Sequence, residues 1–441
     1  MRRQIQKQLL SKIKDIYRNI ECKPLDDLPL QLQEIQNTFK SELSEKRYAF
    51  YGEILDGLIL ATTQVSTNTD STERVQVITL VKELLNYIFT ELMKETEIKK
   101  DVVFIPYKAS MWDSLESIWI AANEDREHCN AYVMPIPYAE RKEDQTVANW
   151  HYEADLFPKY VPIVDWQEID LEKMHPDVIF IHNPYDNCNS LTSVGSEYYS
   201  GELKNYTDKL VYVPYFVSND IKPGDEDIEE YMAHLVTTKG VLNSDLVVVQ
   251  SENLRQLYIN VLIRHTNQKD RHYWEQHVVG LGSPKYDKLL ATKKEDIDIP
   301  KEWLRIILKP DKSWKKIILY NTGLQDMVYW KEKMIDKIGE IIQTFKTHKD
   351  EIALIWRPHP LVAAFTYGLA PELNDRYQSI VNTYKQEGWG IYDDTPDFHR
   401  AMVLSDAFFG DHSSIEFLYK ITGKPIFFNS PIINEAITKG D

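Results

Sequence analysis

From residue 101 onward the chain repeats one pattern: a short, wholly apolar run closed by Pro or a polar residue, then a longer stretch with helical spacing. Asp101–Pro106 (DVVFIP), Ala131–Pro135 (AYVMP), Val178–His182 (VIFIH) and Leu210–Pro214 (LVYVP) form a first series. Runs that are apolar at every position, not at alternate ones, suit strands buried on both faces of a parallel sheet. A second series follows at Leu246–Gln250, His277–Gly280, Ile317–Tyr320, Ile352–Trp356, Ala407–Phe409 and Ile426–Phe428. Helical stretches at 252–263, 326–347, 372–387 and 397–404 separate these strands. The alternation predicts an α/β protein with two successive Rossmann-like lobes.

Residues 1–98 read differently. Ile5, Leu9, Ile13, Ile16, Tyr17 and Ile20 recur at helical spacing, and 54–63 and 75–93 give further helical patterns around a polar loop at Ser66–Glu73. The expected organisation is a helical N-terminal region (1–98), an N-terminal Rossmann-like lobe for the acceptor (99–240) and a C-terminal Rossmann-like lobe for the donor nucleotide (241–441). The first twenty residues carry six Lys/Arg and one Asp. Such a basic amphipathic helix either contacts an anionic membrane surface or packs on its own protein with a solvated basic face.

The formal charge of −17 argues against a nucleic-acid partner. Cys22, Cys129 and Cys188 are too scattered for a disulfide framework or a zinc site. No metal-ligand spacing stands at the strand ends, so no resident metal is expected, only Mg2+ carried with a diphosphate. With no apolar leader and no run long enough to span a bilayer, the expected location is the cytoplasm, with the inner membrane face as its peripheral variant.

Ligands of open α/β sheets bind beyond the carboxyl ends of the strands. Four segments there can meet an anion. Gly280–Asp287 (GLGSPKYD) offers a tight turn through Gly282 and Ser283, with Lys285 beside it. Tyr320–Gly323 presents Thr322. Arg357-Pro358-His359-Pro360 holds an arginine fork and an imidazole on a backbone fixed by prolines. Asp411–Glu416 (DHSSIE) puts Ser413 and Ser414 at a helix start, with Glu416 one turn in. Each segment also has an ordinary reading as a turn or cap.

Taken in order, these elements resemble the CDP-glycerol glycerophosphotransferase family, the teichoic-acid-type polymerases and primases. Its G-x-P-R-N-D element is similar to Gly282–Asp287, its R-x-H-P element to Arg357–Pro360, and its (S/T)-D-Y-S-S signature to Gly410–Ser414. The resemblance covers roughly residues 245–430. It implies a GT-B architecture and transfer of a polyol phosphate from a CDP-activated donor to a hydroxyl acceptor on a glycan or polyol phosphate. It implies that Ser413, Ser414, Thr322 and Arg357 hold the donor phosphates and that His359 assists at the displaced phosphoryl group.

Two departures accompany it. The family's H-G-T-P element would follow Leu210–Val213, where Pro214-Tyr215-Phe216 stands; His182, with Asp186, is the substitute base. Leu418 stands where an acidic residue is expected to hold the ribose; Glu416 is nearby but points elsewhere on the helix, and Glu372 and Asp394 are the acidic residues that could compensate. A non-catalytic phosphate- or nucleotide-binding protein of the same architecture, and an isomerase like the UDP-sugar 2-epimerases, are the competing expectations.

Overall fold

The computed structural model describes residues 1–22, 25–65, 71–142, 144–218, 221–395 and 397–428. Of the expected loop Ser66–Glu73, residues 66–70 lie outside them, as does the end of the chain past 428, while 71–73 begin a helix.

Two parallel sheets carry the α/β part. The first contains β1 (Lys100–Ile105), β2 (Cys129–Val133), β5 (Val178–Ile181), β7 (Leu210–Tyr212), β8 (Leu246–Val249) and β9 (Val278–Gly280), in the order β2-β1-β5-β7-β8-β9. A small antiparallel sheet, β4-β3-β6, is built from β3 (Tyr138–Arg141), β4 (Val147–His151) and β6 (Thr192–Val194). The second large sheet contains β10 (Lys316–Thr322), β11 (Ile352–Pro358), β12 (Ile391–Tyr392), β13 (Ala407–Gly410) and β14 (Ile426–Phe428), in the order β12-β11-β10-β13-β14.

The strands are apolar throughout because both faces are covered. On β1, Val103 and Ile105 join one buried cluster while Val102 and Phe104 join another. On β11, Leu354 and Trp356 face one way and Ala353 and Ile355 the other. The two-lobed α/β architecture expected from the sequence is the one present.

One assignment is corrected. β8 and β9, read above as the head of the second series, extend the first sheet: β8 pairs with β7, and β9 with β8. Apolar runs specify burial but not which neighbour a parallel strand takes, so they carry no signal of the changeover. The change of sheet comes after Gly280, between β9 and β10.

The N-terminal region is four helices, α1 (Arg3–Asn19), α2 (Leu28–Glu42), α3 (Glu45–Val65) and α4 (Ser71–Met93). Leu9, Ile13 and Ile16 of α1 pack with Leu32, Ile35 and Phe39 of α2, Leu55 and Leu58 of α3, and Leu85, Ile88 and Leu92 of α4. The basic end of α1 turns to the protein's own carboxylates. Arg2 pairs with Asp101 at 2.6 Å and Arg3 with Asp177 at 3.4 Å, while Lys7 pairs with Asp208 and Lys12 with Glu34. Asp101 and Asp177 border the amino ends of β1 and β5, so these charges dock the bundle on the first sheet. Among the described residues, no helix is long and apolar enough to cross a membrane.

Candidate functional site

In the second sheet the chain runs outward from β10 in one direction to β11 and β12, then in the other to β13 and β14. The crevice of such a sheet opens at this reversal, beyond the carboxyl ends of β10 and β13. Asn321, Thr322 and Gly323 stand on one side of it and Gly410–Ser413 on the other. Hydrogen bonds stitch the sides together and tie Asn321 to β11. Ser413 Oγ donates to Asn321 Oδ1 at 2.9 Å, the Gly323 N–H donates to Asp411 Oδ2 at 2.8 Å, and Asn321 Nδ2 donates to the Arg357 carbonyl at 2.9 Å. Lys337 Nζ reaches Asp411 Oδ1 at 3.0 Å, yet burial dominates and pushes that carboxyl up to about 6. Gly410 has φ +153°, and a Cβ there would sit 2.1 Å from the Asn321 carbonyl oxygen. Only glycine allows β13 to approach β10 so closely.

His359 reaches the same edge. Its backbone N–H donates to the Thr322 carbonyl at 2.9 Å, and its Nδ1 accepts the Leu361 N–H at 3.1 Å. With Nδ1 an acceptor, the neutral ring carries its proton on Nε2 and presents a donor. Burial, helped by the charge of Lys108, pulls the imidazole down to about 4, so the ring is neutral at pH 7. Ser413 caps the helix Ser414–Ile421 by accepting the Glu416 N–H. The Ser414 side chain lies outside the described residues.

Other expected donor ligands are committed elsewhere. The Thr322 side chain is buried, and its Oγ1 accepts the Trp356 indole N–H at 3.3 Å. Arg357 spends its fork on Asp393, at 2.6 Å, and on the Thr395 carbonyl, at 2.7 Å, beneath the Phe398 ring. It therefore fixes the loop after β12 with two of its five N–H donors. Glu416 is buried between His412, at 3.2 Å, and Lys420, at 2.5 Å. Leu418 is a core residue, Glu372 is exposed on its helix, and Asp394 is an exposed partner of Lys385.

Gly282 takes a positive φ of 107°, and Ser283 precedes the helix Pro284–Ala291 without a side-chain cap. Lys285 is not an anion ligand here. Its ammonium lies 2.7 Å from both oxygens of Asp113, which sits just beyond β1 in the first lobe. His399 Nε2 contacts the same carboxylate at 3.1 Å, and its Nδ1 has no hydrogen-bond partner among the described residues. Burial opposes ionisation of Asp113, but Lys285 and His399 outweigh it and hold the carboxyl at about 2. Ser117 bonds Asp287 at 2.7 Å and Lys288 pairs with Glu116 at 2.9 Å along the same helix. The segment read as a phosphate turn is the strut that joins the lobes.

The substitute base fails on its surroundings. His182 fills the crevice of the first sheet, where the order reverses between β1 and β5. Its Nε2 accepts the Tyr107 N–H at 3.2 Å, and its Nδ1 meets Ser114 Oγ at 3.0 Å and the Met111 carbonyl at 3.3 Å. Both nitrogens are occupied, and burial pulls the pKa down to about 3. Asp186 accepts the Ser200 N–H and hydroxyl at 2.9 and 2.8 Å, starting a short helix, and burial raises its pKa. Neither residue is placed to take a proton from a substrate.

Sequence reasoning missed Asn321, Lys108, Asp113 and His399. Lys108 was the most legible: it stands two residues past strand DVVFIP, and the strand-end rule applied to the first sheet points to it. The pairing of Asp113 with His399 spans 286 residues and leaves no local trace.

Among the described residues, no cluster of His, Cys, Asp or Glu could hold a metal ion. Residues 227–435 match the family model described as CDP-glycerol:poly(glycerophosphate) glycerophosphotransferase. No curated protein sequence matches the chain at a significant level. Similar solved structures include the wall teichoic acid polymerase TagF, at 17% identity, covering 82% of this chain and 78% of that one with a TM-score of 0.42. The UDP-N-acetylglucosamine 2-epimerase of Neisseria meningitidis is similar at 13% identity, 74% and 81% coverage and a TM-score of 0.43. The S. aureus MnaA–UDP structure is similar at 14% identity, 74% and 78% coverage and a TM-score of 0.43.

Proposed function

We propose that this chain, whose residues 227–435 match the family model described as CDP-glycerol:poly(glycerophosphate) glycerophosphotransferase, transfers a polyol phosphate from a CDP-activated donor to a hydroxyl acceptor. The acceptor is a cell-surface glycan precursor or a polyol phosphate of the teichoic-acid type. The observation that carries the reading is the crevice between β10 and β13. It brings the Ser413 hydroxyl, the front of the helix Ser414–Ile421 and the Nε2–H of His359 to one sheet edge. Helix amides and a neutral imidazole donor suit a diphosphate, while the Ser413 hydroxyl, donating to Asn321 and accepting from Glu416, holds the helix front at the crevice.

In this reading the donor diphosphate lies at the front of that helix. His359 donates to an oxygen of the phosphoryl group as charge builds on it. Because the ring is neutral at pH 7, it does so as a hydrogen-bond donor and not as an acid. Phosphoryl transfer is served mainly by positioning and charge stabilisation, so no covalent nucleophile is required. Mg2+ would enter with the diphosphate. Asp411, the carboxylate nearest the crevice, already accepts from Gly323 and Lys337, and so does not offer a resident metal site. Contact with a membrane through residues 1–20 forms no part of the reading, since Arg2, Arg3, Lys7 and Lys12 pair with carboxylates of the protein itself.

A second reading is a donor-binding protein without turnover. The commitment of Arg357 to Asp393 and of Lys285 to Asp113 favours it, because two cations that would serve the donor are taken. Calorimetry with CDP-glycerol, paired with an assay for CMP release in the presence of a hydroxyl acceptor, separates the two. Binding with CMP release supports transfer, and binding without release supports the second reading. An absence of binding at millimolar donor defeats both.

A further inference from the structure

Lys108 stands directly beyond β1 and precedes the turn Ala109–Ser114. Its ammonium lies 4.6 Å from the centroid of the Tyr138 ring and 5.8 Å from that of Tyr107. The nearest carboxylates are occupied. Glu153 takes the Ala109 N–H at 2.8 Å and the Tyr138 hydroxyl at 2.7 Å, and Glu140 pairs with His151 at 3.2 Å. Among the described residues, Lys108 makes no ion pair and donates no hydrogen bond; its contacts are the two rings. Burial lowers its pKa, and the more distant charges of Glu153 and Glu140 only partly oppose that.

A half-buried ammonium with unused donors is suited to an anion that completes it. His359 stands at the carboxyl edge of the second sheet, and the charge of Lys108 adds to the lowering of its pKa. One residue comes from the carboxyl edge of the first sheet, the other from that of the second. An anion between them would satisfy the ammonium and accept the His359 Nε2–H together.

We propose that Lys108 is the first lobe's phosphate ligand: it grips a non-bridging oxygen of the phosphoryl group in transit, opposite His359. The proposal rests on the transfer reading above. In that step the acceptor hydroxyl oxygen forms a bond to the glycerol-bearing phosphorus. The bond from that phosphorus to the CMP oxygen breaks, CMP leaves with the bonding pair, and the hydroxyl proton passes to water. Lys108 stays protonated throughout and stabilises charge on the phosphoryl oxygens.

The test uses the full chain and the variants Lys108→Gln and Lys108→Arg. Inorganic phosphate is titrated while the His359 ring carbon and the Lys108 side-chain nitrogen are followed by NMR, and CMP release from CDP-glycerol is measured in parallel. The expected result is that phosphate moves both resonances in the unmodified protein. Lys108→Gln should weaken phosphate binding about tenfold or more and lower kcat about 100-fold, and Lys108→Arg should restore much of both. Unchanged phosphate affinity in Lys108→Gln, or turnover equal to that of the unmodified protein, overturns the proposal while leaving the transfer reading intact. A missing CMP signal in the unmodified protein, with phosphate still moving both resonances, sinks the transfer reading and leaves an anion site at Lys108. If Lys108→Gln does not fold, the unmodified protein decides: a Lys108 resonance unmoved by phosphate overturns the proposal.

Discussion

Lys285 places its ammonium 2.7 Å from each carboxylate oxygen of Asp113, across 172 residues and from one lobe to the other. Both side chains are buried, and His399 closes the cluster from the second lobe. Breaking such a pair from one side leaves an uncompensated buried charge. Asp113→Ala is expected to cost about 3–5 kcal/mol in urea unfolding. The double variant Asp113→Leu/Lys285→Met should be less damaged than the single one. A loss in the double variant equal to the sum of the two single losses would show that the charges do not depend on each other.

Arg357 gives a second prediction, one that departs from its expected role as a phosphate ligand. Its fork holds Asp393 and the Thr395 carbonyl, so Arg357→Ala and Asp393→Ala should damage the same loop. Each should lower stability by about 3 kcal/mol or more, with strongly non-additive effects when combined. Additive losses, together with donor affinity lost only in Arg357→Ala, would return the residue to the donor site.

His182 sets a pH dependence whose sign can be worked out. Its folded pKa, about 3, lies below the ordinary histidine value of 6.5. Its contribution to stability is therefore full above pH 6.5 and is lost as pH falls through 6.5 toward 3, because the unfolded chain protonates first. Between pH 7 and 5 this one residue should remove about 2 kcal/mol. His359, with a folded pKa of about 4, acts in the same direction. Asp411 acts oppositely: its raised pKa means that its carboxyl favours the folded state below about pH 4 and loses that advantage as pH rises through about 6. Urea unfolding of His182→Gln at pH 7 and pH 5 should show a shallower acid loss than the unmodified chain. An unchanged slope would place the proton uptake elsewhere.

Gly410 is the narrowest backbone point in the crevice. A methyl group there meets the Asn321 carbonyl oxygen at 2.1 Å, at a φ of +153°. Gly410→Ala is expected to cost about 2 kcal/mol or more and to weaken donor binding by spreading β10 from β13. A variant of unchanged melting temperature would mean that the strands separate freely.

The strands were legible because each is an unbroken apolar run; Val102–Ile105 and Ala353–Trp356 announce burial on both faces without any alignment. What the runs do not encode is partnership, hence the move of β8 and β9 to the first sheet. In the site, Ser413 and His359 could be placed at the strand edge because a helix start and a proline-fixed turn are local features. Arg357, Thr322 and Lys285 could not be told from ligands. Their partners, Asp393, Trp356 and Asp113, are remote in sequence, and a cation at a strand end looks the same whether it awaits a phosphate or is already paired. Lys108 is the converse case, a cation whose lack of a partner shows only when both lobes are assembled.

The most direct test of the central claim is CMP release from CDP-glycerol, in the presence of a glycerol-phosphate acceptor, by the unmodified chain, Ser413→Ala and His359→Ala. Release by the unmodified chain is the predicted result, reduced about 100-fold or more in His359→Ala and by a smaller factor in Ser413→Ala, with both variants folded. Release that is undiminished in both folded variants would contradict the placement of the donor between β10 and β13.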